Sequence, residues 1–152
     1  MAGIKLKSAD DLKLMRPACL VAGTILDEIA GFIQPGVTTR QVDNFAAERI
    51  RAHGAKSAFL GYRKFPCHTC LSVNDEVVHG IASDRELKLG DIVSVDVGVT
   101  YKGFIGDNAR TVPVGGCSVA EQQLLDVTEQ SLYLGIAQAK PGNRVVDISR
   151  AV

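Results

Sequence analysis

The sequence predicts a single domain of the α+β class over residues 1–152, with helices packed on an antiparallel sheet. Apolar residues recur at helical spacing in the segments 8–32 and 118–140. Between these segments, residues 93–100 alternate with period two between valines and small or polar side chains, which is typical of a half-buried strand. The chain has 152 residues, 46% of them hydrophobic, so it is long enough for one proper core. We find no internal repeat, low-complexity segment or linker in it.

The first predicted helix runs from about residue 8 to residue 32. Ser8, followed three residues later by Asp11, resembles a capping box with Asp in place of the usual Glu. Pro17 falls inside this span, and we expect it to bend the helix or shift its start. Pro35-Gly36 then ends the element.

A second helix and two short strands are predicted next. Thr38 or Thr39 supplies the N-cap of this helix, which closes near His53-Gly54. Strand-like pieces follow at residues 58–60 and 69–73, separated by an aromatic-rich loop.

The alternating run belongs to a predicted β-hairpin over about residues 91–114. Its valines lie on one face, and the other face carries Asp96. Tyr101-Lys102 is predicted to form a two-residue turn, with Gly103 free to adopt a positive φ. This turn would place Asp96 directly opposite Asp107, with their Cβ atoms roughly 5 Å apart. A three-residue loop would instead put the two aspartates on opposite faces of the sheet.

Two opposed carboxylates in a hairpin predict a bound cation. Like charges at this separation repel each other, and aspartate is a poor strand residue. A cation between the carboxylates would remove the conflict, and oxygen ligands suit hard or borderline divalent metals. We therefore interpret Asp96 and Asp107 as candidate metal ligands.

The C-terminal part of the sequence predicts a helix and the start of another. Ser118 with Glu121 makes a second capping box, and the helix runs to Lys140 before Pro141-Gly142 stops it. Residues 145–152 look like the first turns of an amphipathic helix. Because about two helical turns are marginally stable without further partners, we expect the chain to be truncated or a fragment.

Composition and charge make several classes of protein unlikely. The formal net charge is zero, with 17 acidic and 17 basic residues, whereas nucleic-acid binders usually carry a basic patch. No apolar run approaches the roughly 20 residues of a membrane span. The N-terminus has no signal-peptide apolar core, so we expect a cytoplasmic location.

The four cysteines favour no disulfide framework. Without an export signal, Cys19 and Cys117 are expected to be reduced, as are the other two. The segment from Cys67 to Cys70 looks like half of a zinc knuckle, but the second pair of ligands is missing. We interpret these two residues as thiols beside or inside a strand.

Several segments together resemble one family, the type I methionine aminopeptidases. They are Leu71–Ile81, which contains N-D-E-V-V-H-G-I; Gly90–Gly98, which contains G-D-I-V-S-V-D; Gly61-Tyr62; and Gly106-Asp107. The resemblance runs from the first helix to the last residue. It implies the pita-bread fold, whose two halves each pack helices on a curved antiparallel sheet, and this chain corresponds to the N-terminal half.

The resemblance also implies a reaction and its substrates. The family removes the initiator methionine from nascent proteins when the second residue is small, which places the reaction close to the ribosome. Nucleic acid is not a substrate, and no membrane is involved. The active site holds two divalent metal ions, with manganese, iron, cobalt and zinc all suited to it.

The site residues follow by motif. Asp96 matches a ligand that chelates one metal, and Asp107 matches a ligand that bridges both. His79 matches the catalytic histidine, which hydrogen-bonds the substrate and supports the tetrahedral transition state. His53 and His68 match no motif and are predicted to be surface or loop residues.

The methionine side-chain pocket of the family is lined by the segment that here contains Phe59, Tyr62, Phe65 and Cys70. An apolar, polarizable wall suits a thioether. Phe59 and Phe65 are departures, since cysteine and tyrosine stand at these places in some relatives.

The family's remaining three ligands, a histidine and two glutamates, have no match in this sequence. We therefore expect little or no activity from the chain alone. Two alternatives stay open: a proline-directed peptidase of the same fold, and a non-catalytic binding module that uses the pita-bread surface.

Overall fold

The computed structural model describes residue 4 and residues 6–152, and it confirms the α+β class. The chain divides after Gly116 into two compact units. Among the described residues, no helix is both long enough and apolar enough to cross a membrane.

Two helices of the first unit begin at the predicted N-caps, and both starts are capping boxes. Helix α1 spans Ala9–Phe32, with Ser8 and Asp11 as the reciprocal capping pair. Helix α2 spans Thr39–Ala52 and is capped by Thr38 together with Gln41. Pro17 lies inside α1 but does not shift its start.

The sheet of the first unit is antiparallel and built around one central strand. Its strands are β1 (Lys56–Ser57), β2 (Thr69–Val73), β3 (Ile92–Tyr101) and β4 (Phe104–Pro113). Strand β4 pairs with β3 over its full length, so β1 and β2 share the other edge of β3.

The predicted strand at residues 58–60 is wrong, because the strand pairing ends at Ser57. The hydroxyl oxygen of Ser57 accepts hydrogen bonds from the backbone N–H groups of Phe59 and Leu60, at 3.3 and 3.2 Å. These bonds turn the chain away from the sheet into a short 3₁₀ helix, Tyr62–Lys64.

The core lies between the two helices and one face of the sheet. The four valines of β3 are fully buried there, as are Ile25 and Ile29 of α1 and Val42 of α2. Helix α1 approaches the sheet so closely that a Cβ on Gly106 would lie 2.1 Å from the carbonyl oxygen of Ala18. Every second residue of β3 therefore points away from the helices.

The hairpin turn lies one residue later than predicted. Its two central residues are Lys102 and Gly103, with φ of 49° and 83°, and Tyr101 pairs with Phe104. Two-residue turns that match the twist of the strands favour a positive φ at both central positions, and glycine adopts it without strain. Asp96 therefore lies opposite Ala109, not opposite Asp107.

The second unit is a pair of helices. Helix α3 spans Val119–Gln138, is capped by Ser118 with Glu121, and ends two residues before the predicted Lys140. Helix α4 spans Val145–Ala151. The two helices meet at Gly135, where a Cβ would lie 2.8 Å from Cγ2 of Val152.

The carboxylate of Asp43 joins α2 to the start of β2. Its Oδ1 accepts hydrogen bonds from the backbone N–H groups of His68 and Thr69 and from the Thr69 hydroxyl, at 2.9, 2.8 and 2.7 Å. Asp43 is buried, so removing it leaves these donors unpaired in the interior.

We expect Asp43→Ala to lower the free energy of unfolding by about 3 kcal/mol, because three hydrogen bonds to a charged acceptor are lost. Urea unfolding followed by circular dichroism measures this loss. The control is Asp10→Ala, whose salt bridge with Lys13 is exposed and is expected to contribute less than about 0.5 kcal/mol. Equal effects of the two substitutions would contradict the anchoring role of Asp43.

The partly buried ion pair between Glu28 of α1 and Arg49 of α2 predicts that the stability of the fold depends on pH. The Arg49 guanidinium hydrogen-bonds Glu28 and lowers the pKa of that carboxyl, burial opposes the shift, and His53 adds to the lowering. This contribution to stability is present above the ordinary glutamate pKa and is lost as pH falls through the lowered one.

We expect Glu28→Gln to reduce the loss of stability on acidification below about pH 4.5. Urea midpoints measured between pH 6 and pH 3 test this. An unchanged acid limb in the variant would show that the pair contributes nothing.

Candidate metal centre and apolar wall

The face of the sheet that points away from α1 and α2 carries the candidate site, and we call it the site face. Residues of β3 alternate, so Asp96 and Gly98 share this face, while the valines of the core lie on the other. Asp107 pairs with Gly98 across the β3–β4 hairpin and therefore points to the same side as Asp96.

The two aspartates are diagonal neighbours on the site face. The pKa of Asp96 is raised to about 6, first by burial, then by the charge of Asp107 and by a hydrogen bond between the two carboxyl groups. The charge of His79 opposes this rise. A partly buried carboxyl group with a raised pKa beside a second carboxylate is an arrangement that a cation would relieve.

Cys70 lies beside the aspartates. It pairs directly with Asp96 across the β2–β3 ladder, so its side chain is on the site face. Burial, followed by the negative charge of Asp96, raises the pKa of its thiol to about 11. Cys70 is therefore a neutral, apolar neighbour of the carboxylates at pH 7.

Cys67 points elsewhere, into the hydrophobic core of the first unit. Burial raises the pKa of its thiol. All four cysteines are free thiols, and no group of three or more His, Cys, Asp or Glu side chains suited to a metal occurs among the residues that the structure describes. Cys67 and Cys70 thus lie apart as free thiols, one in the hydrophobic core and one on the site face.

His79 projects from the loop that follows β2. Its φ is 59°, an uncommon conformation for a residue with a side chain. The next residue fixes the position of this loop, because the Gly80 carbonyl accepts the Leu71 N–H at 3.0 Å and the Gly80 N–H donates to the Ser72 hydroxyl at 3.1 Å. A Cβ on Gly80 would lie 2.1 Å from the Leu71 carbonyl oxygen, so only glycine fits.

An aromatic wall lies next to the carboxylates on the site face. The ring of Phe59 covers Gly98, where a Cβ would lie 2.3 Å from the Phe59 Cε1 atom. The ring of Phe65 meets the ring of Phe59 edge to face, with centroids 6.5 Å apart. Tyr62 is 62% exposed, and the Arg63 guanidinium lies 5.5 Å from its ring centroid.

Some contributors to the site were not found from the sequence. Gly98 is one, and the only sequence signal for it is a glycine within the polar side of the alternating strand. Asp43 is another, since it anchors the start of the strand that carries Cys70.

The two remaining histidines differ in their surroundings. His53 is not a simple surface residue, because its Nε2 lies 3.1 Å from Glu28 in a partly buried pair. His68 does lie in a loop, but its Nδ1 is buried and has no hydrogen-bond partner among the described residues.

Comparison with known proteins places the chain in a family. The model of metallopeptidase family M24 matches residues 13–152. The chain belongs to this family. Members are metallopeptidases, so membership implies divalent metal ions, in agreement with the paired carboxylates on the site face.

The relatives of this M24 chain include methionine aminopeptidases. Methionine aminopeptidase 1 of Bacillus subtilis (strain 168) is 43% identical over 96% of this chain and 59% of its own length. The crystal structure of methionine aminopeptidase from Rickettsia prowazekii has a TM-score of 0.96 at 37% identity, over 98% of this chain and 60% of that chain. The likeness covers the N-terminal portion of these proteins and confirms that the fold is that of pita-bread enzymes.

Proline-directed peptidases are less similar to the chain. The Xaa-Pro dipeptidase from Bacillus anthracis has a TM-score of 0.74 at 26% identity, over 86% of this chain and 36% of that chain. The M24 chain thus spans about three-fifths of the methionine aminopeptidases named above and about one-third of this dipeptidase.

The site residues fit a divalent metal in part. Asp96 and Asp107 supply hard oxygen donors on one face, and as diagonal neighbours across the hairpin they are placed to contact the same ion. The described residues provide no third ligand in reach, so this M24 chain holds only part of a coordination shell.

The paired carboxylates predict that the metal-free chain gains stability when one of them is neutralised. At pH 7 and in EDTA, we expect Asp96→Asn to raise the free energy of unfolding by about 1 kcal/mol, a value discounted for the solvent screening of a partly exposed pair. The gain should shrink at pH 5, because a carboxyl with a raised pKa is protonated there in the native state. Urea unfolding at both pH values measures it, with Asp10→Asn as the control.

Lower stability of Asp96→Asn than of the parent chain at pH 7 would show that the two carboxylates do not repel each other in the folded state.

Proposed function

We propose that this chain forms the N-terminal part of a metal-dependent methionine aminopeptidase, which removes the N-terminal methionine from nascent proteins. The observation that carries the proposal is that the partly buried Asp96 and the exposed Asp107 share one sheet face, with an apolar wall beside them and with the charge of His79 acting on Asp96. The names of the relatives agree with it. Residues 1–152 would form one half of the catalytic domain.

In this proposal, Asp96 and Asp107 hold a pair of divalent metal ions from one side. Manganese, iron, cobalt and zinc all accept carboxylate ligands. When bound, the metal supplies the Lewis acidity that peptide hydrolysis requires. Because Asp96 and Asp107 are diagonal neighbours on adjacent strands, their carboxylates approach such a pair along the same face of the sheet.

His79 would act on the substrate itself. Its loop is tied to β2 through Gly80, and its charge acts on Asp96. From there it would donate a hydrogen bond to the carbonyl oxygen of the scissile peptide, where negative charge develops in the transition state.

The aromatic wall would receive the methionine side chain. Phe59, Phe65 and the neutral thiol of Cys70 give an apolar, polarizable surface that suits a thioether. Tyr62 would complete it at the solvent edge. The side chains named for this wall are uncharged, so a substrate whose first residue is apolar is favoured over one whose first residue is polar.

Metal binding to the chain itself is the first test of this proposal. We expect calorimetry with Mn²⁺ or Co²⁺ to show weak binding that Asp96→Ala removes and Asp10→Ala leaves unchanged. A pure binding module would show no heat that depends on Asp96. If Asp96→Ala retains the binding heat of the parent chain, as Asp10→Ala is expected to do, the result would argue for the binding module.

Activity is the second test, and it requires the rest of the domain. The chain alone is expected to turn over a Met-Ala-Ser peptide little or not at all. We expect activity from a chimera in which this chain replaces the matching part of the Bacillus subtilis methionine aminopeptidase 1. In that chimera His79→Ala should lower kcat/KM by about a hundredfold to a thousandfold, through loss of one transition-state hydrogen bond.

A peptide panel in the same chimera separates the two peptidase alternatives. Preference for Met-Ala-Ser over peptides with proline in the second position supports the methionine-directed reaction. The reverse preference would support the proline-directed peptidase. Robust turnover by the purified chain alone would show that the second half is not required.

A further inference from the structure

We propose that Gly98 is a specificity-determining residue. Because Gly98 has no side chain, the Phe59 ring lies directly over it on the site face, and this position of the ring determines how much space remains for an unbranched apolar side chain of the substrate. This inference deepens the proposed function and rests on it.

The contact between Gly98 and Phe59 leaves no space for a methyl group. A Cβ built on Gly98 would lie 2.3 Å from Cε1, 2.9 Å from Cδ1 and 2.9 Å from Cζ of the Phe59 ring. Gly98 is buried, and its φ is not in the left-handed region, so alanine is permitted there by the backbone. The three atoms nearest to such a Cβ all belong to the ring, so the ring is the first obstacle to a side chain at this position.

The backbone beneath the ring is fixed, so the ring is the part that must move. The Ala58 N–H donates to the Gly98 carbonyl at 2.9 Å, which ties the residue before Phe59 to β3 itself. The Ser57 hydroxyl holds the Phe59 N–H at 3.3 Å. A side chain at residue 98 would therefore turn the Phe59 ring about its own torsions rather than shift the loop.

The direction of that turn is set by the neighbours of the ring. The edge of Phe65 stands against Phe59 on one side, and strand β3 lies beneath it. The seat of the ring borders the carboxylates, because Gly98 pairs with Asp107 across the hairpin and lies two residues from Asp96 on the same face. A ring displaced from this seat would take up space beside them, where the apolar side chain of a substrate would lie. Gly98 keeps this space open, and a larger residue would fill it with the displaced ring.

The chemistry of the space selects its occupant. Two aromatic rings that meet edge to face give an apolar surface that suits a straight, polarizable chain, whereas a side chain branched at its Cβ needs more width beside the Phe59 ring. We thus assign to the Gly98–Phe59 pair the discrimination between unbranched and branched first residues.

The experiment is a titration of the isotopically labelled 152-residue chain, followed by NMR in EDTA, with L-methionine amide, L-norleucine amide and L-tert-leucine amide. We expect the first two to give saturable shifts at residues 58–60, 70 and 98, and tert-leucine amide to give none. Gly98→Ala should weaken binding of methionine amide by at least about tenfold, because overpacking displaces the ring. Gly31→Ala, at an exposed helical glycine with nothing within 4 Å, is the matched control and should bind as the parent does.

A double-mutant cycle separates specificity from a general structural role. In the Phe59→Ala background no ring is left to displace, so Gly98→Ala should change the affinity less than about twofold. Phe59→Leu, which shortens the wall and leaves Gly98 intact, should admit tert-leucine amide, and this variant decides the matter if Gly98→Ala alone does not fold.

Three results would overturn the proposal: no saturable binding of methionine amide, equal loss from Gly98→Ala in both backgrounds, or continued exclusion of tert-leucine amide by Phe59→Leu. The titration contains no metal, so its outcome is independent of the calorimetry. Metal binding without amide binding would refute the role of Gly98 and leave the proposed function standing. If the amides bind and the double-mutant cycle gives the expected result, but no metal binding depends on Asp96, the role of Gly98 stands and the proposed function is refuted.

Discussion

The turn at Lys102 and Gly103 sets the register of the β3–β4 hairpin, and the site depends on that register. Both turn residues have positive φ, so the two strands leave the turn with Tyr101 facing Phe104. Each further pair follows from this one. A shift by a single residue along one strand would send Asp107 to the core side, where a carboxylate has no partner.

The register places Asp96 near Asp107, which is electrostatically unfavourable in the metal-free fold. Packing elsewhere in the sheet compensates for this cost. Burial and a like charge both work against ionisation of Asp96, yet β3 keeps its place because its other face is filled with buried valines. Helices α1 and α2 cover that face. A site that is unfavourable by itself is therefore held in position by a core that has no part in the chemistry.

Much of the fold followed from local signals in the sequence. Capping boxes marked the starts of two helices, a threonine N-cap marked the start of a third, and the valine alternation showed that Asp96 points away from the core. The hairpin turn was placed one residue early, because Tyr101-Lys102 and Lys102-Gly103 both read as turns and only the second gives positive φ to a glycine. Asp96 and Asp107 were interpreted as metal ligands from the hairpin itself, whereas the roles of His79 and of the residues of the apolar wall came from the family resemblance.

Contacts between distant segments were out of reach of the sequence. The Phe59 ring meets Gly98 only because Ser57 ends its strand early and turns the chain, and no periodicity announces that event. The pairing of His53 with Glu28 joins two helices whose relative angle is set by packing. Patterns of a few residues carry no information about such tertiary neighbours.

The close seat of α1 on the sheet restricts how this sequence is able to diverge. The Ala18 carbonyl lies against the backbone at Gly106, so no space remains between α1 and the β3–β4 hairpin for a side chain at that position. Ala18 and Ala22, both without solvent exposure, fill the same seam. Enlargement at any one of these three positions lifts the whole helix, so evolutionary drift there is confined to small residues exchanged together.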